Sequence, residues 1–187
     1  MTVVPEEPRR ILVYGVTGSG KSTAAQRIGA ATGLPVHLAD ELTWEPGWVA
    51  VPPEVQREIF DRITATDAWV LDTAYSTWLD LALERSELVV GLDFPRWLSL
   101  GRLLRRTVGR IVDRRTICNG NVETLRGLLS RDSIIAWHFR SFTRKRTRMR
   151  AWAAAGDLPI VLFRRPADLE RWLHELGATR SAPPPAP

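Results

Sequence analysis

The 187-residue sequence has one cysteine, no long apolar run and three histidines. A single cysteine, Cys118, excludes a disulfide within the chain and fits a reducing compartment such as the cytoplasm. No segment approaches the roughly 18 apolar residues of a membrane-spanning helix, so no membrane partner is expected. The histidines lack the spacing of a metal site.

The length of the chain predicts one globular domain over residues 1–178. The Pro/Ala-rich tail over residues 179–187 is expected to be disordered.

Acidic residues are scarce in one segment. Residues 102–150 carry 14 lysines and arginines against three acids, a net charge of +11, whereas the rest of the chain has 12 bases and 18 acids. All but Lys145 of these 14 are arginines, which bind phosphate through planar, bidentate contacts. The segment is therefore expected to meet anions. A nucleic-acid partner ranks below a small ligand, because no helix-turn-helix, RNA-binding or zinc module is recognisable.

A phosphate-binding pattern follows the first apolar run. The stretch GVTGSGKST, residues 15–23, fits G-x-x-x-x-G-K-[ST] directly after residues 11–14. In this pattern, backbone N–H groups and the positive end of the next helix hold phosphates. Lys21 is expected on the β- and γ-phosphates and the Ser22 hydroxyl on Mg²⁺. ATP and Mg²⁺ are thus the expected cofactors. The predicted nucleotide-binding residues of the loop are Gly15, Thr17, Gly18, Ser19, Gly20, Lys21, Ser22 and Thr23.

Short apolar runs alternate with helical stretches along the chain. Strands are predicted at residues 11–14, 36–38, 68–71, 88–92 and 158–163, with helices between them. The last helix is predicted at residues 166–176, ended by Gly177. This alternation indicates an α/β protein of the P-loop NTPase fold, with a parallel five-stranded sheet and helices on both faces. Residues 112–121 break the pattern as a non-periodic insert, and a helix is predicted at 122–129.

Carboxylates follow three of the predicted strands. Ligands of such a sheet bind beyond the carboxyl ends of the strands, where Asp40, Asp72 and Asp93 are expected. Asp72 is predicted to position a Mg²⁺-bound water, and an N-cap of the following helix is the alternative. Asp40 is predicted to bind an acceptor hydroxyl. Asp93, close to Pro95, is interpreted as a cap or turn residue.

Aromatic residues accompany two of these carboxylates. Trp44 and Trp48 follow Asp40, and Tyr75 follows Asp72. These three side chains are predicted to line an acceptor pocket. For the two indoles, packing of the loop onto the protein body is an equal alternative.

Arginines are spaced to share helix faces. Arg102 and Arg106 lie four residues apart after Pro95, and they are predicted to neutralise charge on the transferred phosphoryl group. Arg140 shares a face of a later helix with Arg144 and Arg148, and one or two of these are expected to reach phosphates. The remaining arginines of that helix, with Arg150 at its end, are expected to stay in solvent or to meet another polyanion.

Several of these patterns resemble a known group of enzymes. The P-loop, Asp72 at a strand end, and arginines seven and eleven residues after Pro95 resemble the adenylate-kinase-like small-molecule kinases. Within that group, five local patterns look like the bacterial DNA topology modulation proteins. They are Asp40-x-Leu42-x-Trp44-x-Pro46-Gly47-Trp48, Asp72-x-x-Tyr75-Ser76, Phe94-Pro95-Arg96-Trp97-Leu98, Asn119-Gly120-Asn121-x-Glu123 and Ser130-Arg131-Asp132-Ser133-Ile134.

The resemblance implies a P-loop kinase with a mobile lid inserted at about residues 110–125. It places Arg102 against the nucleotide, Arg106 with Arg131 or Arg140 on the transferring phosphates, and the backbone near Arg165 against adenine. Arg131 is also predicted to bind the acceptor.

The acceptor region departs from the adenylate kinase pattern. Adenylate kinases carry Asp-Gly-Phe-Pro-Arg after the third strand, where the arginine binds the acceptor phosphate, whereas this chain has Asp72-Thr-Ala-Tyr-Ser. AMP is therefore disfavoured. The predicted function is transfer of the γ-phosphoryl group of Mg·ATP to a small hydroxyl- or phosphate-bearing, nucleoside- or nucleotide-like acceptor. A nucleic-acid-binding topology modulator and an NTPase that switches a partner protein are the alternatives.

Overall fold

The computed structural model describes residues 7–73, 75–113, 116–124, 130 and 133–181. Its helices are α1 (Lys21–Thr32), α2 (Ala39–Thr43), α3 (Pro53–Thr64), α4 (Leu79–Arg85), α5 (Arg96–Asp113), α6 (Ile134–Ala155) and α7 (Pro166–Ser181). Its strands are β1 (Arg10–Gly15), β2 (Val36–Leu38), β3 (Trp44–Glu45), β4 (Val49–Ala50), β5 (Trp69–Thr73), β6 (Leu88–Leu92), β7 (Thr116–Ile117), β8 (Asn121–Val122) and β9 (Ile160–Phe163). None of the helices described is long and apolar enough to cross a membrane.

The main sheet is parallel and has the strand order β2-β5-β1-β6-β9. Its five strands are those that the sequence predicts, within two residues at each end, so the predicted α/β class and sheet are confirmed. Because β1 is central and all strands run the same way, the P-loop after β1 lies at the middle of the carboxyl edge of the sheet.

Both faces of the sheet are covered, as β1 shows. Ile11 and Val13 point into a core layer shared with α1 and α7, while Leu12 and Tyr14 point into a second layer shared with α3, α4 and α6. All four are at most 1% exposed. Alternate side chains of a strand face opposite sides, so an apolar run without alternation produces a strand buried on both faces.

The last helix is longer than predicted. It continues through Gly177 to Ser181, so the predicted end at residue 176 is wrong. A Cβ built on Gly177 would lie 4.0 Å from the Cβ of Ala31, because α7 packs closely against α1. A glycine inside a helix costs only about 1 kcal/mol, which such packing can offset.

Two small hairpins lie in segments that were predicted to be a loop and a non-periodic insert. The loop expected after β2 contains the short helix α2 and the hairpin β3–β4, so Asp40 lies on a helix. The predicted insert contains the end of α5 and the antiparallel hairpin β7–β8. The helix predicted at 122–129 is wrong at its start, where Val122 belongs to a strand; residues 125–129 lie outside the described part.

Candidate active site

The P-loop is a concave turn with its backbone groups open. Gly18 and Gly20 have φ angles of +78° and +93°, a conformation that favours glycine. Gly20 caps α1 without a side-chain hydrogen bond, so the N–H groups of the first helical turn stay available to an anion. A Cβ on Gly18 would also collide with the backbone of Ser99, which shows how closely α5 approaches the loop.

Asp72 connects the P-loop to the segment after β2. Its Oδ2 accepts a 2.6 Å hydrogen bond from the Ser22 hydroxyl, and its Oδ1 accepts a 2.7 Å bond from the backbone N–H of Ala39. Asp72 lies in β5, not before α4, so the N-cap alternative for α4 is wrong. Asp72 instead binds the first residue of α2. Burial raises the pKa of its carboxyl, and the Lys21 charge and these hydrogen bonds oppose that effect.

Lys21 lies folded back on the loop. Its Nζ donates a 3.2 Å hydrogen bond to the carbonyl of Val16. Burial lowers the pKa of Lys21, while the carboxylates of Asp72 and Asp40 act in the opposite direction. The ammonium therefore lies within the electrostatic range of both carboxylates, and a phosphate would add the anionic partner that such a group favours.

Asp40, Tyr75 and Trp44 form a hydrogen-bonded chain. The Trp44 indole donates to the Tyr75 hydroxyl at 3.0 Å, and that hydroxyl donates to Asp40 Oδ1 at 2.7 Å. Burial and the Asp40 carboxylate raise the pKa of Tyr75, so its hydroxyl stays a donor at neutral pH. Asp40 is exposed and forms the solvent-facing end of the chain. This arrangement orients one carboxylate beside Lys21.

A cleft of about 320 Å³ opens next to the P-loop. Its walls come from the loop and α1, from α5, and from the start of α7; they include Gly18, Ser19, Gly20, Thr23, Arg27, Phe94, Arg102, Arg106, Pro166 and Glu170. Arg102 donates to the Ser19 carbonyl at 3.1 Å, and its guanidinium lies over the Phe94 ring. An ion pair between Arg27 and Glu170 joins α1 to α7 on the far side.

Arg106 and Arg110 continue the basic face of α5 that begins at Arg102. Arg106 lines the cleft one turn beyond Arg102. Its pKa is lowered, first by desolvation and then by the nearby Arg110 charge. Arg110 pairs with Glu123 at 3.4 Å, which links α5 to the segment after β8. The helix thus presents cations along one side of the site.

The β7–β8 hairpin is docked on the segment that follows α2. Asn121, only 3% exposed, accepts a 2.7 Å hydrogen bond from Trp48 N–H and donates to the carbonyls of Glu45 and Cys118. Asn119 donates to the carbonyls of Glu41 and Trp44. Neither asparagine is among the site residues predicted from the sequence. The sequence pattern that could have identified them is Asn-Gly-Asn in an insert, because side-chain amides bind backbone groups in turns.

The two tryptophans differ in their environment. Trp44 is half-buried and joins the Asp40 chain, whereas Trp48 is 40% exposed and donates its indole N–H to the Val122 carbonyl at 3.2 Å. The rings meet edge to face with centroids 5.8 Å apart. Trp48 therefore packs the hairpins together, which is the packing alternative.

Helix α6 brings two further polar residues to the site, neither assigned from sequence. His138, fully buried, places Nδ1 3.0 Å from the Thr17 carbonyl of the P-loop. Since a carbonyl only accepts, Nδ1 carries the proton and Nε2 remains an acceptor. Burial lowers the pKa of His138. Two turns later, Lys145 is 5% exposed and lies within range of the Lys21 and Asp40 charges.

Asp93 is an ion-pair centre. Its carboxylate is fully buried and binds Arg146 at 2.6 Å and Arg150 at 2.8 Å, with Arg164 at 3.9 Å. The interpretation of Asp93 as a cap or turn residue is wrong, because its oxygens bind side chains of α6. Arg150, expected to stay in solvent, keeps 47% of its side chain exposed but also pairs with Asp93. These pairs fix α6 to the end of β6.

The remaining predicted residues lie further out or outside the described part. Arg140 is exposed on α6, one half-turn beyond His138. Arg165 is also exposed, and its carbonyl accepts from the first turn of α7, next to Pro166 at the cleft. Arg131 falls among residues that the structure does not describe. The roles predicted for these arginines remain predictions.

Known structures share this fold. The chain superimposes on a gluconokinase from Sinorhizobium meliloti 1021 with a TM-score of 0.55 and 18% identity, covering 95% of both chains. A shikimate kinase from Aquifex aeolicus gives 0.51 and 16%, over 93% of this chain and 99% of that one. A shikimate kinase from Bacteroides thetaiotaomicron gives 0.52 and 13%, over 94% and 99%. No protein-family model and no curated protein matches the chain.

The predicted P-loop kinase fold is therefore confirmed. These similarities do not show the narrower resemblance to the DNA topology modulation proteins, which stays a prediction.

Proposed function

We propose that this protein is a phosphotransferase that moves the γ-phosphoryl group of Mg·ATP to a hydroxyl of a small acceptor. The observation that carries the proposal is the double role of Asp72. One oxygen binds Ser22 of the P-loop, and the other binds the start of the helix that carries Asp40. A nucleotide loop and a potential proton acceptor are thereby held in one site, which phosphoryl transfer requires.

The residues fit both partners of the reaction. Gly18, Gly20 and the uncapped start of α1 provide a phosphate cradle, and the cleft between Phe94 and Pro166 can take a base. Ser22 and Asp72 supply the hard oxygen ligands that suit Mg²⁺, which usually keeps waters and phosphate oxygens as its other ligands. Bound Mg²⁺ would supply charge neutralisation at the phosphates.

Asp40 is the proton acceptor in this proposal. The acceptor oxygen forms a bond to the γ-phosphorus while the bond from that phosphorus to the bridging oxygen breaks, and the electron pair stays on ADP. The acceptor proton passes to the Asp40 carboxylate, which Tyr75 orients through its 2.7 Å hydrogen bond. Lys21, Arg102 and Arg106 surround the phosphates with positive charge.

The acceptor is proposed to be a small polyhydroxylated molecule. The hydrogen-bonded chain at Asp40 offers a carboxylate, a phenol and an indole. Hydroxyl groups suit such partners. The structural similarity to a gluconokinase and shikimate kinases makes gluconate and shikimate sensible members of a test panel with nucleosides and nucleotides.

ADP release from Mg·ATP, measured with each acceptor and without any, tests the proposal. We expect one acceptor class to raise the rate, with phosphorus NMR showing the new phosphoester, and Lys21→Ala to abolish it. Acceptor-independent hydrolysis would favour the NTPase switch. Absence of ATP binding at millimolar concentration would overturn the proposal.

The nucleic-acid alternative loses support because several basic residues of 102–150 are paired or buried inside the protein. Arg146 and Arg150 bind Asp93, Arg110 binds Glu123, and Lys145 is buried. Fewer charges are left for a polyanion. A gel shift at low salt tests this directly, since non-specific binding depends strongly on salt.

A further inference from the structure

Lysine is rare in this chain, and both lysines are at the site. Of 26 lysines and arginines, only Lys21 and Lys145 are lysines. Lys21 belongs to the P-loop pattern. Lys145 lies 124 residues later on α6, in a segment where every other basic residue is an arginine. The fold brings these two ammonium groups into one electrostatic environment.

Lys145 is a buried cation without an anionic partner in the described part of the chain. The residue is 5% exposed, and its Nζ lies 5.6 Å from the centre of the Trp137 ring. Within the described ranges, none of the hydrogen bonds or ion pairs involves its ammonium. Buried charges are normally paired, and a bound anion would supply the partner that keeps this ammonium charged.

The position of Lys145 on α6 shows where that anion would be. One face of α6 carries His138, Lys145 and Met149 at intervals of seven and four residues, and all three are buried. His138 contacts Thr17 of the P-loop, and Met149 packs against Gly91 of β6, where a Cβ would lie 2.8 Å from its sulfur. Lys145 therefore lies over the carboxyl edge of the sheet between these contacts.

The charges that act on Lys145 also indicate an anion at this position. The strongest is Lys21, which repels it, and the only carboxylate among the main contributors is Asp40. Asp72 also faces Lys21, but the Arg106 charge adds to those of the two lysines, so positive charge still exceeds negative charge where nucleotide and acceptor would meet. A phosphoryl group is the anion of a P-loop site that carries enough charge to bind both lysines.

We infer that Lys145 is a second phosphate-binding lysine, which contacts the γ-phosphoryl group from α6 while Lys21 contacts it from the P-loop. The inference rests on the proposed function, because it assumes a nucleoside triphosphate in the P-loop. It adds a catalytic residue that the P-loop pattern does not include. Because ADP lacks the γ-phosphoryl group, the contact should distinguish the two nucleotides.

Equilibrium binding tests the inference without any acceptor. Isothermal titration calorimetry measures the affinity of wild type and Lys145→Met for a non-hydrolysable ATP analogue and for ADP, both with Mg²⁺. We expect the variant to lose about 10- to 100-fold in affinity for the analogue, the scale of one charge-assisted hydrogen bond. ADP affinity should stay within about threefold, and Lys145→Arg should keep most of the affinity for the analogue.

Arg105→Met is the matched control. Arg105 is exposed on α5 and does not line the cleft at the P-loop, so its replacement removes one positive charge without emptying the buried site. We expect it to bind both nucleotides like wild type. If Lys145→Met fails to fold, Lys145→Gln takes its place in the same comparison.

Three outcomes would overturn the inference. Equal losses for analogue and ADP would indicate a general field effect, and no loss would remove the lysine from the phosphate site. Failure of wild type to bind either nucleotide would overturn the proposed function as well. Wild-type binding without a selective loss in the variant overturns the Lys145 inference alone.

Discussion

The Ser22 hydroxyl donates a 2.6 Å hydrogen bond to Asp72, across 50 residues of sequence. The two residues lie on different elements, the start of α1 and the end of β5, which come together because β1 and β5 are neighbouring parallel strands. Through Ala39, the same carboxylate also fixes the start of α2. The nucleotide and acceptor halves of the proposed site are therefore mechanically joined.

Replacing Asp72 by asparagine tests the effect of its negative charge separately from the effect of its hydrogen bond to Ala39. Asparagine can still accept from Ala39 N–H, but it removes the negative charge beside Lys21 and Ser22. We expect kcat to fall by about 10²-fold or more, because phosphoryl transfer depends on positioned charge. Steady-state kinetics at varied Mg²⁺ measures this. Asp80→Asn, which removes an exposed carboxylate paired with Arg57, should leave kcat unchanged; an equal loss there would contradict the prediction.

Adjacent arginines of α5 should behave differently. Arg106 lines the cleft with Arg102, while the neighbouring Arg105 does not. Arg106→Ala should lower kcat by about 10²-fold, the scale of losing one charge-stabilising group. Arg105→Ala should stay within about threefold, because single exposed charges contribute little. Equal losses in steady-state assays of the two variants would mean that the basic segment acts as one electrostatic surface.

The main features of the fold could be predicted because their signals are local. Each buried strand is a short apolar run, and each P-loop glycine stands where a positive φ or a close approach requires it. Asp72 and Asp40 could be predicted for the site because both follow such strands.

The rest of the site depends on contacts that no local pattern encodes. Asp93 meets Arg146 and Arg150 only because α6, 53 and 57 residues later, packs against the end of β6. Lys145 lies in a basic run that is typical of a solvent-exposed surface. It is buried because it lies on the face of α6 that packs against the rest of the protein. The partners of Asn121 likewise come from the distant β3–β4 hairpin.

Asn121 should control closure of the hairpin at residues 116–122. Asn121→Ala removes three hydrogen bonds that join the hairpin to itself and to the segment with Trp48. We expect amide hydrogen exchange across residues 116–122 to become faster in the free protein. The backbone groups that bind the Asn121 side chain would lose their hydrogen-bond partner. Saturating Mg·ATP with acceptor should slow exchange there in wild type. Unchanged exchange in both experiments would contradict a closing role.

Asn119→Ala serves as the milder comparison for the same hairpin. Asn119 is exposed, so water can replace its two donated hydrogen bonds. Its effect on exchange should be smaller than that of Asn121→Ala. The opposite ranking would show that the left-handed turn at Asn119, φ +64°, matters more than burial.

The Asp93 carboxylate should be a stability element. Asp93→Ala leaves Arg146 and Arg150 without their buried partner, and we expect unfolding free energy to fall by roughly 1–3 kcal/mol. The arginines are partly exposed, which keeps the loss below that of a fully buried pair. Arg164→Ala, whose side chain is 74% exposed and 3.9 Å from Asp93, should change stability little. Urea unfolding of both variants checks the ranking, which equal losses would contradict.

Lys145 should titrate near neutral pH in the ligand-free protein. Burial lowers its pKa from the ordinary 10.5 to about 7, and the Lys21 charge acts in the same direction. The charged and titratable groups that face it are Lys21, Asp40, His138, Arg144 and Arg148. Carbon-13 labelling of lysine yields only two side-chain signals, because the chain has two lysines. Lys145→Arg identifies which signal belongs to Lys145.

The lowered pKa of Lys145 also determines how the free energy of unfolding depends on pH. The unfolded chain keeps the Lys145 proton up to about pH 10.5, whereas the folded chain releases it above about pH 7. Between these values the unfolded state binds more protons, so the free energy of unfolding should rise with pH. Lys145→Met should flatten that rise, and the non-hydrolysable ATP analogue should move the NMR midpoint upward by supplying an anion. A Lys145 signal that titrates near 10.5 in the free protein would contradict its desolvated position.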